Sequence, residues 1–159
     1  MTVIVRPGRS SDVPALGRLG AHLVAEHYEF DRKRFLAPRP DMPQLYGNFL
    51  GSQMSQAGRF VLVAEKEEAV VGYVFGGMET SDYMVLRGPA GALYDLVVDP
   101  DRRRQGIGGK LMDAALARLA ELGAPRVVLF TAEKNSPARR LFERSGFRPT
   151  MIEMTRELG

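Results

Sequence analysis

A glycine-rich turn flanked by arginines is the segment of this sequence best suited to binding an anion. It reads Arg102-Arg103-Arg104-Gln105-Gly106-Ile107-Gly108-Gly109-Lys110 and stands between a β-rich segment and an apolar stripe of helical spacing. A strand that turns through glycines into a helix presents unpaired backbone N–H groups and the positive end of the helix dipole at one point. The turn therefore predicts a phosphate site, although a tight βα connection without any ligand would use the same glycines.

Two well-known phosphate loops do not fit this turn. The dinucleotide-binding pattern GxGxxG fails because Leu111 occupies its third glycine position. The Walker A pattern fails because Arg104 stands at its first glycine and Leu111 follows Gly109-Lys110 where Ser or Thr is required.

Few other residues could act as nucleophiles or metal ligands. The chain has no cysteine, which excludes thiolate chemistry and disulfides, and it has no GxSxG segment to present a serine. Its two histidines, His22 and His27, are five residues apart, and Glu26 between them does not fit the zinc-binding HExxH pattern. We therefore expect no metal site.

Hydrophobic periodicity and turn residues predict the element order β-α-α-β-β-β-α-β-α-β. The predicted strands are 2–6, 60–65, 69–78, 91–99, 126–131 and a final pair near 147–156. The first predicted helix begins after Ser10-Ser11-Asp12, and the other three span 43–58, 107–122 and 138–145. Interleaved helices with one hairpin, turning at Lys66-Glu67-Glu68, predict an α/β (α+β) fold. Its mixed sheet carries helices on both faces and has a parallel portion within 91–131.

Length and charge limit the remaining classes of protein. The 159 residues favour a single domain over 1–159. The net charge is +3, divided into −2 for residues 1–100 and +5 for residues 101–159. The longest nearly apolar run, 69–78, is too short to span a bilayer, and no signal-like start is present, so we expect no membrane contact and a cytoplasmic location. No extended basic surface with aromatic residues indicates nucleic-acid binding.

Three linked motifs resemble those of one known superfamily. The loop Arg103-Arg104-Gln105-Gly106-Ile107-Gly108 is similar to the R/Q-x-x-G-x-G/A loop of the GCN5-related N-acetyltransferase (GNAT) superfamily. The preceding segment 96–100 resembles that superfamily's fourth strand. Residues 135–147 resemble its N-x-x-A-x-x-L-Y-E-x-x-G-F segment. The resemblance covers residues 60–157 well and implies a mostly antiparallel sheet whose fourth and fifth strands splay apart.

The resemblance also implies acetyl-CoA as a cosubstrate, bound in the opening between those strands. The implied binding residues are the loop amides of Gln105, Gly106, Ile107, Gly108 and Gly109, the side chains of Arg103 and Arg104, the main chain of Leu96, Val97 and Val98, and Asn135, Ala138 and Phe142. The Val98 N–H would stabilise the oxyanion of the thioester carbonyl. Asn135 would contact pantetheine, although capping the following helix is an equally good role for it.

The sequence departs from the family pattern at the catalytic acid and base. The family's usual acid is a tyrosine, and here Phe142 occupies that position and has no proton to donate. Phe142 and Phe147 are instead spaced to touch across a helix end closed by Gly146. The family's fourth-strand base position is Tyr94, followed by Asp95. In a regular strand these two side chains point to opposite faces, so at most one would face the cleft.

In the family that the sequence resembles, the first two helices and their connection usually line the site of the acyl acceptor. Glu26, His27, Tyr28 and Phe30 combine acidic and aromatic groups that would suit a cationic amine. The alternative interpretation is an ordinary surface whose carboxylates are neutralised by 32–34, with His27 completing the apolar helix face.

The sequence thus predicts an N-acetyltransferase that moves acetyl directly to a primary amine of a small molecule or peptide. The alternative hypothesis is a coenzyme A-binding sensor or regulatory module with reduced catalysis, which Phe142 would allow. Because dimers are frequent in the family, a homodimer is the expected assembly.

Overall fold

A five-stranded sheet in the order β1-β2-β3-β4-β5 organises the chain in the computed structural model, which describes residues 2–159. The elements are β1 (Ile4–Pro7), α1 (Val13–Phe30), α2 (Met42–Gln53), β2 (Arg59–Lys66), β3 (Ala69–Glu79), β4 (Ala90–Val98), α3 (Ile107–Glu121), β5 (Val127–Leu129) and α4 (Ser136–Arg144). Neighbouring strands are antiparallel except β4 and β5, which are parallel. The predicted mixed, mostly antiparallel sheet is confirmed.

Helices cover both faces of the sheet, as the periodicity predicts. On one face the apolar stripe of α3, including Leu111 and Leu119, packs against Leu93. On the other face, Leu16 of α1 and Leu50 of α2 pack with Val97. Each fully buried leucine contributes roughly 1.5–3 kcal/mol, so the two cores hold β4 firmly from both sides. Within residues 2–159, no helix is long and apolar enough to cross a membrane.

The fourth and fifth strands separate after a short region of pairing. Only Gly91–Leu93 of β4 pairs with Val127–Leu129 of β5. From Tyr94 to Val98, β4 has no strand partner on its β5 side among the described residues. The predicted splay is confirmed, and it leaves a cleft beside the C-terminal half of β4.

The predicted final strand pair near 147–156 is wrong. Residues 147–159 have no regular secondary structure, and Met151, Ile152 and Met154 are 65%, 85% and 89% exposed. A strand is stabilised by burying alternate side chains against a core, and here no alternate set is buried. Glu153 instead forms a surface ion pair with Arg34 in the connection between α1 and α2.

Candidate functional site

A cleft of about 840 Å³ occupies the gap beside β4, between α1, the start of α3, and α4. Its lining includes most of the residues predicted from sequence. These are Glu26, His27, Phe30, Tyr94, Asp95, Leu96, Val97, Val98, Arg103, Arg104, Gly106, Ile107, Gly108, Gly109, Asn135, Ala138 and Phe142. The tertiary structure therefore brings the segments carrying the motifs to one place.

Two predicted site residues, Gln105 and Tyr28, do not line the cleft. Lys66 Nζ donates a hydrogen bond to Gln105 Oε1 at 2.9 Å, which holds that side chain at the surface. The Tyr28 ring lies under the Arg32 guanidinium, whose Cζ atom is 5.4 Å from the ring centroid. The predicted place of Tyr28 is corrected accordingly, whereas the prediction for Gln105 concerned its backbone amide.

The N-terminus of α3 opens into the cleft. Arg104 and Gly106 adopt left-handed backbone angles, with φ of 64° and 77°, and this conformation turns the chain sharply into the helix. Gly106 suits such an angle because it has no Cβ. No side chain among the described residues caps α3. The first amides of the helix are therefore free to bind an anion, and the helix dipole favours it.

Arginines surround this helix end. Arg102, Arg104, Arg140 and Arg144 line the cleft, and none of them forms an ion pair within residues 2–159. Arg103 differs, because its Nη2 atom lies 2.9 Å from Glu26 Oε2 of α1. This end of the cleft is strongly positive and suited to a polyanion.

The free edge of β4 offers main-chain hydrogen-bonding groups along the cleft. The Asp99 N–H donates to Val71 O of β3 at 2.8 Å. Because backbone groups of successive residues in a strand point alternately to the two sides, those of Val98 and Leu96 point away from β3. An N–H and a C=O from each of these two residues thus face the gap left by β5.

A β-bulge places Tyr94 and Asp95 on the same face of the sheet. Phe75 pairs with Asp95 and the next residue, Gly76, pairs with Leu93, so Tyr94 is an extra residue in the ladder. Both side chains consequently point toward α1 and α2, and both line the cleft. The expectation that they occupy opposite faces is wrong because the bulge shifts the alternation by one residue.

Asp95 is held by two tyrosines from different elements. The hydroxyls of Tyr46 on α2 and Tyr73 on β3 both donate to Asp95 Oδ2, at 2.6 and 2.9 Å. Gly20 of α1 leaves space for the Tyr46 ring, since a Cβ there would lie 2.2 Å from it. Burial raises the pKa of Asp95, while both hydroxyls and nearby His27 act to lower it. The result is an oriented carboxylate with a raised pKa at the cleft wall.

The Tyr94 side chain lines the cleft, but its hydroxyl is bound to a residue outside the cleft. Its hydroxyl donates to Glu79, and the Arg59 guanidinium lies 4.8 Å from its ring centre. Burial, followed by the hydrogen bond to Glu79, raises the pKa of Tyr94. Tyr94 therefore keeps its proton at neutral pH and does not share it with the cleft.

Helix α4 contributes Asn135 and Phe142. The Asn135 side chain accepts a hydrogen bond from Ala138 N at 3.3 Å, so it does cap the helix. The Phe147 N–H donates to Phe142 O at 3.0 Å, Gly146 has φ 94°, and the two phenylalanine rings are 6.2 Å apart. The predicted contact across the end of α4 is confirmed.

Sequence reasoning missed several residues of this site, among them two tyrosines, two apolar residues, and the cleft arginines Arg140 and Arg144. Tyr46 and Tyr73 looked like core aromatics, and their contact with Asp95 joins positions far apart in the chain. Phe35 and Leu36, which line the cleft, lie in an irregular segment without periodicity. A polar residue within a β-branched strand was the only available signal, since a buried carboxylate requires hydrogen-bonding partners.

Comparison with known proteins agrees with this geometry. The sequence profile of the acetyltransferase (GNAT) family matches residues 24–147. A mycothiol acetyltransferase of Geodermatophilus obscurus is 40% identical over 65 residues, which are 41% of this chain and 21% of that protein. Human N-acetyltransferase 8 is 36% identical over 99 residues, which are 62% of this chain and 43% of that protein. The matched segments thus span less than half of either relative.

Solved structures share the fold over nearly the whole chain. A variant of the BH1408 protein from Bacillus halodurans superposes with a TM-score of 0.84 at 22% identity, covering 98% of this chain and 99% of that one. An aminoglycoside acetyltransferase from an uncultured soil sample, solved with sisomicin, gives 0.65 at 24% identity, covering 99% and 97%. At such identities the likeness concerns the fold alone. The profile match covers most of the chain, so the chain belongs to the acetyltransferase (GNAT) family.

Proposed function

We propose that this chain transfers acetyl from acetyl-CoA to the primary amine of a small molecule or peptide. The observation that carries the proposal is the arrangement of one cleft. An uncapped, arginine-lined helix N-terminus lies at one end, the Asp95 carboxylate at the other, and the free edge of β4 between them.

The residues at the positive end fit the phosphates of acetyl-CoA. The amides from Gly106 to Gly109 and the guanidinium of Arg104 would bind the pyrophosphate, with Arg103, paired to Glu26, beside them. The main-chain groups of Leu96 and Val98 would bind the amides of the pantetheine arm. Asn135, Ala138 and Phe142 would line the opposite side of that arm.

The reaction requires an unprotonated amine. A primary ammonium has a pKa near ~10.4, so its neutral form costs roughly 4.6 kcal/mol at pH 7. Asp95 would accept one ammonium proton, because in a poorly solvated site a carboxylate and an ammonium are both destabilised relative to their neutral forms. Tyr94 is less suited to this role, since its hydroxyl is bound to Glu79 and its pKa is raised.

Acetyl transfer follows once the amine is neutral. The amine nitrogen attacks the thioester carbonyl carbon, a C–N bond forms and the C–S bond breaks. The Val98 N–H would stabilise negative charge on the carbonyl oxygen. The second proton lost by the nitrogen passes to the departing sulfur through water, because Phe142 has none to give.

Coenzyme A release in the presence of an amine panel tests the proposal. The chain has no cysteine, so a thiol reagent reports only the released coenzyme A. We expect Asp95→Asn to lower kcat by about 10²-fold, the lower end of the range for loss of a general base. Asp113→Asn, an exposed change on α3 outside the cleft, serves as the matched control. Binding of acetyl-CoA without turnover of any amine would favour the coenzyme A sensor instead.

A further inference from the structure

The end of the cleft beside Asp95 has an apolar and aromatic wall. Leu23, His27, Phe30, Phe35 and Leu36 line it. The His27 ring makes edge contacts with Phe30 and Phe35, at centroid distances of 5.3 and 5.2 Å. The His27 Nδ1 atom is 2.9 Å from Leu23 O and must donate to it, which fixes the ring in the wall.

The cleft contains little negative charge for an acceptor to use. Glu26 and Asp95 are the only carboxylates among its described lining residues. Glu26 is already paired with Arg103 at 2.9 Å, and its Oε2 atom also lies 3.8 Å from His22 Nε2. Asp95 accepts only from the neutral hydroxyls of Tyr46 and Tyr73, both at Oδ2. Among the described residues Asp95 forms no ion pair, so it is the one lining carboxylate of the cleft that no arginine or lysine neutralises.

The rest of the cleft charge is positive. Arg102, Arg104, Arg140 and Arg144 line it without ion pairs in the described chain. A second positive charge on an acceptor would find no unpaired carboxylate among the described lining residues. Polyamines and aminoglycosides are disfavoured for this reason.

From this distribution of charge we propose that the acceptor is an amine with one positive charge and an apolar body. Its ammonium group contacts Asp95, and its body packs against the wall formed by His27, Phe30, Phe35 and Leu36. Aromatic bodies fit best, because edge-to-face contacts with these rings add to the area buried. The inference rests on the proposed acetyl transfer and specifies its substrate class.

Four amines at saturating acetyl-CoA test this choice. The probes are 2-phenylethylamine, ethylamine, spermidine and kanamycin, and the measurement is kcat/KM for coenzyme A release. We expect 2-phenylethylamine to exceed ethylamine and spermidine by at least about tenfold, since burial of a ring contributes more than 1.4 kcal/mol. A preference for spermidine or kanamycin overturns this inference and leaves the proposed transfer intact. No turnover of any amine overturns the transfer itself, and the inference with it.

A charge added to the wall gives a second, independent measurement. Leu36 is 68% exposed and lines the cleft, whereas Leu45 is 46% exposed on α2 and lies outside it. We expect Leu36→Glu to raise the ratio of spermidine to 2-phenylethylamine kcat/KM by about tenfold, and Leu45→Glu to leave the ratio unchanged. A ratio depends little on the folded fraction of either variant. An unchanged ratio in Leu36→Glu would overturn the placement of the acceptor.

Discussion

Asp95 combines a raised pKa, which burial causes, with a fixed orientation, which neighbours from other elements maintain. Tyr46 of α2 and Tyr73 of β3 donate to it, and His27 of α1 is close enough to act on its charge. Burial opposes ionisation more strongly than these groups favour it. The Asp95 carboxylate is consequently a stronger base than the carboxylate of an exposed aspartate.

The raised pKa of Asp95 predicts a pH-dependent stability. A carboxyl that binds its proton more tightly in the folded chain than in the unfolded one stabilises the fold at low pH. That contribution is complete below the ordinary value of 3.8 and is lost as pH rises through the raised pKa. Asp95→Asn removes this titration. As pH rises from 4 to 7, the melting temperature of the variant should therefore increase relative to that of the parent chain. Thermal denaturation across this range measures the difference, and a constant difference would contradict it.

Phe142 predicts an effect on turnover. It lines the cleft where the resemblance places a proton donor, and its ring packs on Phe147. Phe142→Tyr adds one hydroxyl and keeps the ring contact. Where chemistry limits the rate, we expect kcat to rise by at most ~10²-fold, because a thiol of pKa ~8.5 already leaves fairly well. Single-turnover kinetics provides the measurement, and an unchanged chemical step would mean that water suffices as the acid.

At the scale of elements, the start of α3 determines how the anion site is built. The helix has no side-chain cap, and an anion would supply what a capping residue otherwise supplies. The bulge in β4 is the second local feature that shapes the site. It turns Tyr94 and Asp95 to one face while leaving the main chain of Val98 directed into the cleft.

The uncapped helix predicts opposite changes in stability and binding. A Cβ at Gly109 would have no atom within 4 Å, whereas one at Gly108 would lie 3.2 Å from Leu141, so Gly109 is the better position for substitution. Gly109→Asp places a carboxylate in the first turn, which should stabilise the fold by roughly 0.3–1 kcal/mol. The same charge should weaken acetyl-CoA binding by about 10²-fold through repulsion of the phosphates. Calorimetric titration measures the acetyl-CoA affinity and thermal melts measure the stability. Simple misfolding would lower both quantities, whereas the expected result is a lower affinity with a higher stability.

At the scale of the whole molecule, the two cores enclose β4, while the last residues contribute little. Met151, Ile152, Met154 and Leu158 are all exposed, and the Arg34–Glu153 ion pair lies at the surface. The positive charge of residues 101–159 is concentrated where the cleft opens at α3 and α4. The part of the chain with the net +5 charge is thus the part that would bind a polyanion.

Removal of residues 150–159 tests the state of this segment. Because it buries no apolar core and an exposed ion pair is worth about 0–1 kcal/mol, truncation should lower the melting temperature by no more than about 4 °C. A much larger loss would show that these residues form the strand pair expected from their sequence.

The sequence by itself determined the element order as far as the last helix, both faces of the sheet and the position of the anion-binding turn. These features depend on local periodicity, on glycines at left-handed positions and on motif spacing, all of which are present within short segments. It also placed most lining residues of the cleft, because the loop at 102–110 and the segment at 135–147 carry recognisable motifs.

Only the tertiary structure decided the state of Asp95. The bulge arises from the register of β3 against β4, and the two tyrosines come from positions 49 and 22 residues away along the chain. The pairing of Glu26 with Arg103 spans 77 residues and neutralises one of the carboxylates that line the cleft. Such contacts depend on long-range packing, and a periodic pattern in one segment contains no information about which distant side chain will meet it.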